Sequence, residues 1–365
     1  MVNQKKVEKI IIKISSNLLN PDVDFNVIKE IAKDISILKS KKYRVIIVTS
    51  GAVMHGIKIL KYESKPNYLP LLQATAAVGQ IQLMTRYQSI FKDYGLISAQ
   101  ILVSIDDFKV RKRYLNLRNT IESLLEINAI PIINENDSIN TEELKFGDND
   151  HLSSLITLMM DFDILMMLTD VNGLYDKDPN KYSDAKLITN IEDLNEKYLD
   201  YTSSSISKYT SGGMKTKIES AIKVIKAGVD VFIGNGFKTS ILKILDKKET
   251  GTYIKGSAIS VKARKKWLGF SPTEKGDVFI DEGAWKALQN NYSLLASGIS
   301  EVNGNFSRGS LINVIFSGKK VAQGLTNYSS KEIDLVKGKK SSDFNNYLKS
   351  CDYKEVIHKN NLFLL

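Results

Sequence analysis

The sequence has few of the residues that build disulfides, histidine-centred active sites or zinc sites. Only one of its 365 residues, Cys351, is a cysteine, and three are histidines: His55, His151 and His358. A single thiol excludes an internal disulfide and is typical of a reducing compartment. So few histidines argue against a histidine-rich metal site or a histidine-centred hydrolase.

Long apolar runs are also missing. No run approaches the roughly 18 residues that a membrane-spanning helix needs, and the longest candidate, residues 164–168, has the length of a strand. The first residues are polar and lead into a short apolar strand, without the apolar segment of a signal peptide. We therefore expect a cytoplasmic protein with no membrane partner.

Positive charge is unevenly distributed. The formal net charge is +10, and residues 255–365 contain 15 Lys and two Arg against 10 Asp and Glu. A basic C-terminal third is compatible with nucleic-acid binding, with acidic substrates, or with a lysine-rich composition throughout. The abundance of Lys, Ile and Asn along the whole chain favours the last explanation.

Strand and helix patterns alternate over the first 250 residues. Short apolar segments at 7–14, 44–49, 96–103, 129–133, 164–168 and 229–233 predict strands, with helices between them. This alternation predicts an α/β fold, in which an open, largely parallel sheet is sandwiched by helices. A polar stretch at 251–262 is interpreted as a linker, and 263–365 as a separate small, mostly β domain.

A glycine-containing segment before an amphipathic helix suits a polyphosphate. Gly212 and Gly213 allow the backbone to approach a ligand, and free N–H groups of the helix then point at it. Lys215 and Lys217 add positive charge, and Gly228 lies where the helix is expected to stop. The chain nowhere contains the phosphate-loop pattern G-x-x-x-x-G-K-[ST].

Polar side chains follow several predicted strands. Lys13 lies inside the first apolar strand, which is unusual unless its ammonium group reaches a cleft or a partner. In parallel sheets ligands bind at the carboxyl ends of the strands, so these segments are expected to form one site. They include Ser15, Ser50, Gly51, residues 134–138, residues 147–151 and the run 169–179.

Taken in order, these segments resemble the amino acid kinase superfamily and, within it, the glutamate 5-kinase family. The resemblance runs over nearly the whole chain, and 266–267, 281–284 and 304–309 resemble that family's C-terminal PUA domain. I-N-E-N-D with G-D-N-D separates this family from the aspartate, carbamate and uridylate kinases. The motifs are V-T-S-G-A at 48–52, A-A-V-G-Q at 76–80, I-N-E-N-D at 133–137, G-D-N-D at 147–150, T-D-x-x-G-L-Y-x-x-D-P at 169–179 and G-G-M-x-T-K at 212–217.

The resemblance implies transfer of the γ-phosphoryl group of ATP to the γ-carboxylate of L-glutamate, the first step of proline synthesis. Lys13 and Lys217 would stabilise the phosphates, and Asp150 would hold the two lysines. Mg²⁺ would be bound mainly by ATP phosphates and water. The implied glutamate-binding residues are Ser50, Gly51, Asn134, Asp137, Asp148 and Asn149. The implied ATP-binding residues are Lys13, Ser15, Thr169, Asp170, Ser211, Gly212, Gly213, Met214, Lys215, Thr216 and Lys217.

The resemblance further implies feedback inhibition by proline and a homodimer or homotetramer. One departure stands out: Ser15 and Asn17 occupy positions where relatives usually carry glycine and serine. A positive φ inherited from the glycine would be strained at Ser15, so this departure affects the expected phosphate contacts.

Two alternatives stay open. The acceptor could be another small acid, such as N-acetylglutamate or aspartate, although Asp137 and Asp148 would suit a free amine. The PUA-like domain could bind RNA, as such folds commonly do. Its only arginines are Arg264 and Arg308, without interleaved aromatic residues, which favours a structural or regulatory role.

Overall fold

The chain forms two compact units in a computed structural model. The model describes residues 8–21, 25–139, 149–177, 179, 181–192, 194, 198, 213–257, 276–290, 292–348, 351 and 353–364. Unit 1 consists of residues 1–108 and 117–264, and unit 2 of residues 109–116 and 265–365. Among the described helices, none has both the length and the apolar composition of a membrane span.

Unit 1 is built on an eight-stranded sheet, which confirms the predicted α/β fold. The strand order is β3-β4-β2-β1-β5-β7-β8-β6, and every pair is parallel except β7 and β8. The strands are β1 (Lys9–Ile14), β2 (Arg44–Val48), β3 (Ser98–Val103), β4 (Ile130–Glu135), β5 (Ile164–Thr169), β6 (Asn190–Ile191), β7 (Asp230–Asn235) and β8 (Thr252–Ile254).

The central strands are apolar and buried because helices cover a parallel sheet on both faces. Strands β4 and β5 are buried at every position, and β1 and β2 at all but their first residue. The helices of the first 250 residues are α1 (Asn26–Ser40), α2 (Ala52–Ile59), α3 (Leu69–Asp93), α4 (Asp106–Lys109), α5 (Arg111–Glu126), α6 (Asn149–Met160), α7 (Met214–Ile225) and α8 (Ile241–Leu245).

Two details of unit 1 differ from the sequence-based expectation. The predicted linker at 251–262 begins with a strand, since β8 pairs with β7 and β6 in the large sheet. Three residues are too few to show a periodic apolar pattern. Strand β4 continues through Asn134 and Glu135, which were expected in a loop. Both residues are buried there, and the Asn134 side chain donates to Gln80 and accepts from the Glu135 backbone N–H.

Unit 2 is the predicted small domain dominated by β structure. Its sheet has the order β10-β9-β11-β12-β13 and is antiparallel apart from the β9–β11 pair. Helix α10 begins with a capping box between Ser329 and Glu332. The elements are β9 (Gly276–Ile280), α9 (Glu282–Gln289), β10 (Ile299–Gly304), β11 (Leu311–Phe316), β12 (Lys319–Leu325), α10 (Ser330–Val336) and β13 (Leu362–Leu364).

Candidate functional site

Two lysines meet one carboxylate at the centre of unit 1. Lys13 Nζ lies 2.5 Å from Asp150 Oδ1, and Lys217 Nζ lies 3.0 Å from Asp150 Oδ2. Lys13 comes from β1, Asp150 from the first turn of α6, and Lys217 from the first turn of α7. The structure therefore brings together the three residues that the sequence predicted as catalytic.

Burial makes this cluster electrostatically strong. Asp150 is fully buried, and only 4% of Lys13 and of Lys217 is exposed. Burial by itself raises the pKa of Asp150, but the two ammonium groups outweigh it and hold that pKa well below its usual range. The carboxylate is thus ionised at neutral pH, and the three groups carry a net positive charge suited to an anionic ligand.

The start of α7 adds further contacts to this cluster. Thr216 Oγ1 donates to Asp150 Oδ2 over 3.1 Å and is also within 2.8 Å of the Gly213 carbonyl oxygen. Met214 begins the helix, and Lys215 points outward as an exposed side chain. Gly228 adopts φ +77° just beyond the helix, as its position suggested. Ser211, Gly212 and Asp148, three of the predicted binding residues, lie outside the described residues.

A chain of side-chain amides adjoins the cluster through Asn149, the neighbour of Asp150. Asn149 Nδ2 donates to Ser50 Oγ over 2.8 Å and to Asn134 Oδ1 over 3.1 Å. Asn134 Nδ2 in turn donates to Gln80 Oε1 over 2.8 Å. Three predicted substrate-binding residues, Ser50, Asn134 and Asn149, are therefore connected by hydrogen bonds, and Gln80 extends the chain.

Gly51 and Asp137 lie at the two neighbouring strand ends. Gly51 precedes α2 with φ +100°, a conformation that glycine adopts without strain. Asp137 follows β4 and is half-buried. Burial raises the pKa of Asp137 to about 6, although the positive charge of Lys65 acts in the opposite direction. The carboxyl group is therefore ionised above about pH 6, and a cationic ligand would favour this charged form further.

The turn after β1 adopts an ordinary conformation despite its two unusual residues. Ser15 has φ −73° and ψ 154°, so serine is unstrained there. Its Oγ is buried and has no hydrogen-bond partner among the described residues. Asn17 Nδ2 donates to Asp170 Oδ2 over 2.7 Å, and Thr169 Oγ1 donates to Asp170 Oδ1 over 3.0 Å. The turn after β1 is thereby linked to the predicted ATP-binding residues at the end of β5.

Three residues at the site were not predicted. The sequence patterns used above do not single out Gln80, although it is a polar residue on the buried face of α3, between Ala76 and Leu83. Asn17 was noted only as a departure, and Asn235, which donates to the Asp170 carbonyl oxygen over 3.1 Å, gave no signal in the sequence. A polar residue within an apolar helical stripe is the pattern that could have identified Gln80.

The described residues do not form a protein cage for a metal ion. Within those ranges, no group of three or more His, Cys, Asp or Glu side chains is placed to bind one. His151 follows Asp150, and its Nδ1 lies 3.1 Å from Lys223 Nζ. Burial, and secondarily Lys223, lowers the pKa of His151, so this imidazole is neutral near pH 7.

The chain is similar in sequence to known protein families and to individual proteins. The model of the amino acid kinase family matches residues 8–235, and that of the PUA domain matches residues 276–348. A glutamate 5-kinase 1 of Bacillus subtilis is 42% identical over 361 residues, which cover 97% of this chain and 98% of the relative. A glutamate 5-kinase of Caldanaerobacter subterraneus is 39% identical over 363 residues, covering 98% of each protein.

Proposed function

We propose that this chain, which belongs to the amino acid kinase family and carries a PUA domain, transfers the γ-phosphoryl group of ATP to the γ-carboxylate of L-glutamate. The products are L-glutamyl 5-phosphate and ADP, the first step of proline biosynthesis. The observation that carries the proposal is the buried cluster of Lys13, Asp150 and Lys217 in a chain whose relatives of nearly equal length are glutamate 5-kinases.

The chemistry requires charge neutralisation rather than a base. A carboxylate with a pKa near 4 is already deprotonated at neutral pH, so it attacks the γ-phosphorus without losing a proton. One P–O bond forms to the carboxylate oxygen, and the bond to the leaving ADP oxygen breaks. Both reactants are anions, and their approach is the main obstacle that the protein has to remove.

The two lysines address that obstacle. Their ammonium groups lie on opposite oxygens of Asp150, so the carboxylate fixes their separation and orientation. Placed against the phosphate oxygens, they stabilise the negative charge of the transition state without reorganising. Asp150 and Thr216 position the lysines, and the free N–H groups at the start of α7 favour a phosphate nearby.

The phosphates of ATP would bind near the buried, unpaired hydroxyl of Ser15 and the positively charged cluster of Lys13, Asp150 and Lys217. Thr169 and Asp170 at the end of β5 would contact the nucleotide. Mg²⁺ would supply further neutralisation of the phosphate charge, held mainly by phosphate oxygens and water. Asp150 is engaged by both lysines and is not available to it. The remaining phosphate contacts would come from the glycine-containing segment before α7.

Glutamate recognition would use the polar groups beside Asn149. Ser50 Oγ and Asn134 Nδ2 present donors for the substrate carboxylates, and Asn149 Oδ1, which is buried without a partner among the described residues, presents an acceptor for the substrate ammonium group. Asp137 would pair with the substrate ammonium group. Asp148 and Gly51 complete the proposed set. A free-amine site of this kind disfavours N-acetylglutamate.

The test is ADP release from ATP and Mg²⁺ with L-glutamate, N-acetyl-L-glutamate or L-aspartate as acceptor. The wild-type protein should turn over glutamate alone, and Lys217→Ala should lower that rate about 10²–10³-fold. Lys226→Ala removes an exposed lysine just after α7 and is the matched control. Turnover of another acid, and not of glutamate, would contradict the proposed substrate. An unchanged rate in Lys217→Ala would contradict the proposed role of the cluster.

Regulation and assembly belong to the same proposal. By the family resemblance, proline would act as a feedback inhibitor that competes with glutamate, and the chain would form a homodimer or homotetramer. Inhibition kinetics at several glutamate concentrations test the first point. Sedimentation of the purified protein tests the second, where a monomeric mass would contradict it.

RNA binding through unit 2 has less support. Arg308 has its guanidinium group occupied by Glu332, with Nη2 2.6 Å from Oε1, and lies over the Tyr328 ring. Arg264 lies outside the described residues. A salt titration of RNA binding would decide the question, since phosphate contacts give a steep loss of affinity with salt.

A further inference from the structure

Gln80 carries a buried hydrogen-bond donor that no described residue accepts. Only 8% of its surface is exposed, and its Nε2 has no hydrogen-bond partner among the described residues. A buried polar group left without a partner costs about 1–3 kcal/mol. Such a group in a substrate-binding region therefore indicates an acceptor supplied by the ligand.

The orientation of the Gln80 amide follows from its neighbours. The backbone N–H of Glu135 donates to Asn134 Oδ1 over 3.0 Å, and a backbone N–H is always a donor. Asn134 must therefore present Nδ2 to Gln80, whose Oε1 accepts this bond. The Nε2 group of Gln80 is consequently the free end of the amide, and it is a donor.

Packing holds Gln80 beside the proposed glutamate site. A Cβ atom on Gly79 would lie 1.8 Å from the carbonyl oxygen of Ala52 and 2.4 Å from the Gly56 nitrogen. Helix α3 thus touches the backbone of α2 at this point, next to the Ser50–Gly51 turn. Gln80 has little freedom to move away, and its donor is held in a fixed place.

The distance of Gln80 from Lys13 indicates which of the two glutamate carboxylates Gln80 can reach. Lys13 lies on β1, and Asn134, the partner of Gln80, lies on β4, with β2 between the two strands. Neighbouring strands lie about 4.8 Å apart, so β4 is about 10 Å from β1. The γ-carboxylate must approach the phosphates at Lys13. The amino-acid end of the substrate then extends towards β4, where Asp137 also lies.

We propose that Gln80 is a substrate-binding residue whose side-chain N–H donates to the α-carboxylate of glutamate. This inference rests on the proposed glutamate kinase activity. It gives Gln80 a task distinct from that of Asp137: Gln80 recognises the α-carboxylate, and Asp137 recognises the α-ammonium group. Together the two residues would select an α-amino acid over a simple carboxylic acid.

The variant Gln80→Glu isolates this donor. A glutamate side chain retains an oxygen to accept the bond from Asn134, and it replaces the free N–H group with a negatively charged acceptor oxygen. Gln88→Glu, at an exposed position later in α3, makes the same chemical change away from the site. Thermal unfolding of both variants checks that they are folded.

The measurement is competitive binding of two substrate analogues, with glutamate turnover recorded alongside. Glutarate has both carboxylates and no ammonium group, whereas 4-aminobutyrate has the ammonium group and the reactive carboxylate but no α-carboxylate. Gln80→Glu should lower the affinity for glutamate and for glutarate about 10- to 100-fold, which is the range for loss of a hydrogen bond to a charged group. The affinity for 4-aminobutyrate should not fall, and Gln88→Glu should match the wild-type protein.

Two outcomes would overturn the inference while leaving the kinase activity intact. If Gln80→Glu lowered the affinities for glutarate and 4-aminobutyrate equally, the substitution would have disturbed the site in general. Wild-type affinities for all three acids in a folded Gln80→Glu protein would show that the donor does not contact substrate. Failure of the wild-type protein to phosphorylate glutamate would instead refute the proposed function.

Discussion

Asn17 and Asp170 are joined by a hydrogen bond of 2.7 Å between Asn17 Nδ2 and Asp170 Oδ2. This bond connects the turn after β1, beside Lys13, to the end of β5. Asp170 is fixed at two further atoms, because Thr169 donates to Oδ1 and Asn235 donates to its carbonyl oxygen. An asparagine in place of the usual serine has a side chain long enough to make this connection.

Removal of Asn17 is expected to weaken ATP binding selectively. Asn17→Ala should raise the KM for ATP about fivefold, which corresponds to roughly 1 kcal/mol for one hydrogen bond, and leave the KM for glutamate unchanged. Steady-state kinetics with each substrate varied in turn provide the measurement. A change confined to the KM for glutamate would show that the bond serves the other half of the site.

Neutralising Asp150 is expected to impair both catalysis and folding. Asp150→Asn would remove the carboxylate that neutralises the buried ammonium groups of Lys13 and Lys217, at a cost of about 3–5 kcal/mol in unfolding free energy. The rate should fall at least 10²-fold, because the lysines lose their alignment. Urea unfolding and turnover measure the two effects, with the exposed Asp246→Asn as control.

The low pKa of Asp150 also sets the direction of a pH effect. The folded protein holds this carboxyl group ionised, with a pKa below that of the unfolded chain. Its stabilising contribution is therefore complete at neutral pH and is lost as the pH falls through the acidic range below about 4. If Asp150→Asn lost stability at acidic pH as steeply as the wild-type protein does, another group would be responsible.

Glutamate binding is expected to weaken below pH 6 because of Asp137. Burial raises the pKa of Asp137 to about 6, so at lower pH the carboxyl group is protonated and no longer attracts the substrate ammonium. The KM for glutamate should therefore rise as the pH falls from 8 to 5. A flat profile over this range would contradict the assignment of Asp137 to the ammonium group.

Asp137→Asn separates this binding role from a structural one. A raised pKa in the folded state means that the ionised carboxylate opposes folding above pH 6. The variant should then lose affinity for glutamate and 4-aminobutyrate, while its melting temperature at pH 8 stays equal to or above the wild-type value. A large drop in melting temperature at pH 8 would assign Asp137 to the fold instead.

Much of this arrangement could be predicted because it depends on local patterns. Apolar β-branched segments identified the strands of the large sheet, and parallel strands place their carboxyl ends at one edge. The pattern therefore predicts that Lys13, Ser50 and Asn134 lie at one edge of the sheet. The three-residue strand β8 escaped prediction because it depends on pairing with β7 rather than on its own pattern.

Side-chain connections between distant segments could not be read from the sequence. The bond from Asn17 to Asp170 and the one from Asn134 to Gln80 join residues that only the fold brings together. The backbone at Ser15 is a similar case, since whether serine is strained depends on a φ angle that proved to be negative. Family resemblance predicts which residues form the site, whereas their orientation depends on the fold.

The most direct test of the central claim is to trap the product with hydroxylamine, which converts an acyl phosphate into a stable hydroxamate. With ATP, Mg²⁺ and L-glutamate, the wild-type protein should form γ-glutamyl hydroxamate and ADP in equal amounts. Lys217→Ala should lower both about 10²–10³-fold. ADP release without hydroxamate, or equal hydroxamate yields from the variant and the wild-type protein, would contradict phosphoryl transfer to the glutamate carboxylate by this lysine cluster.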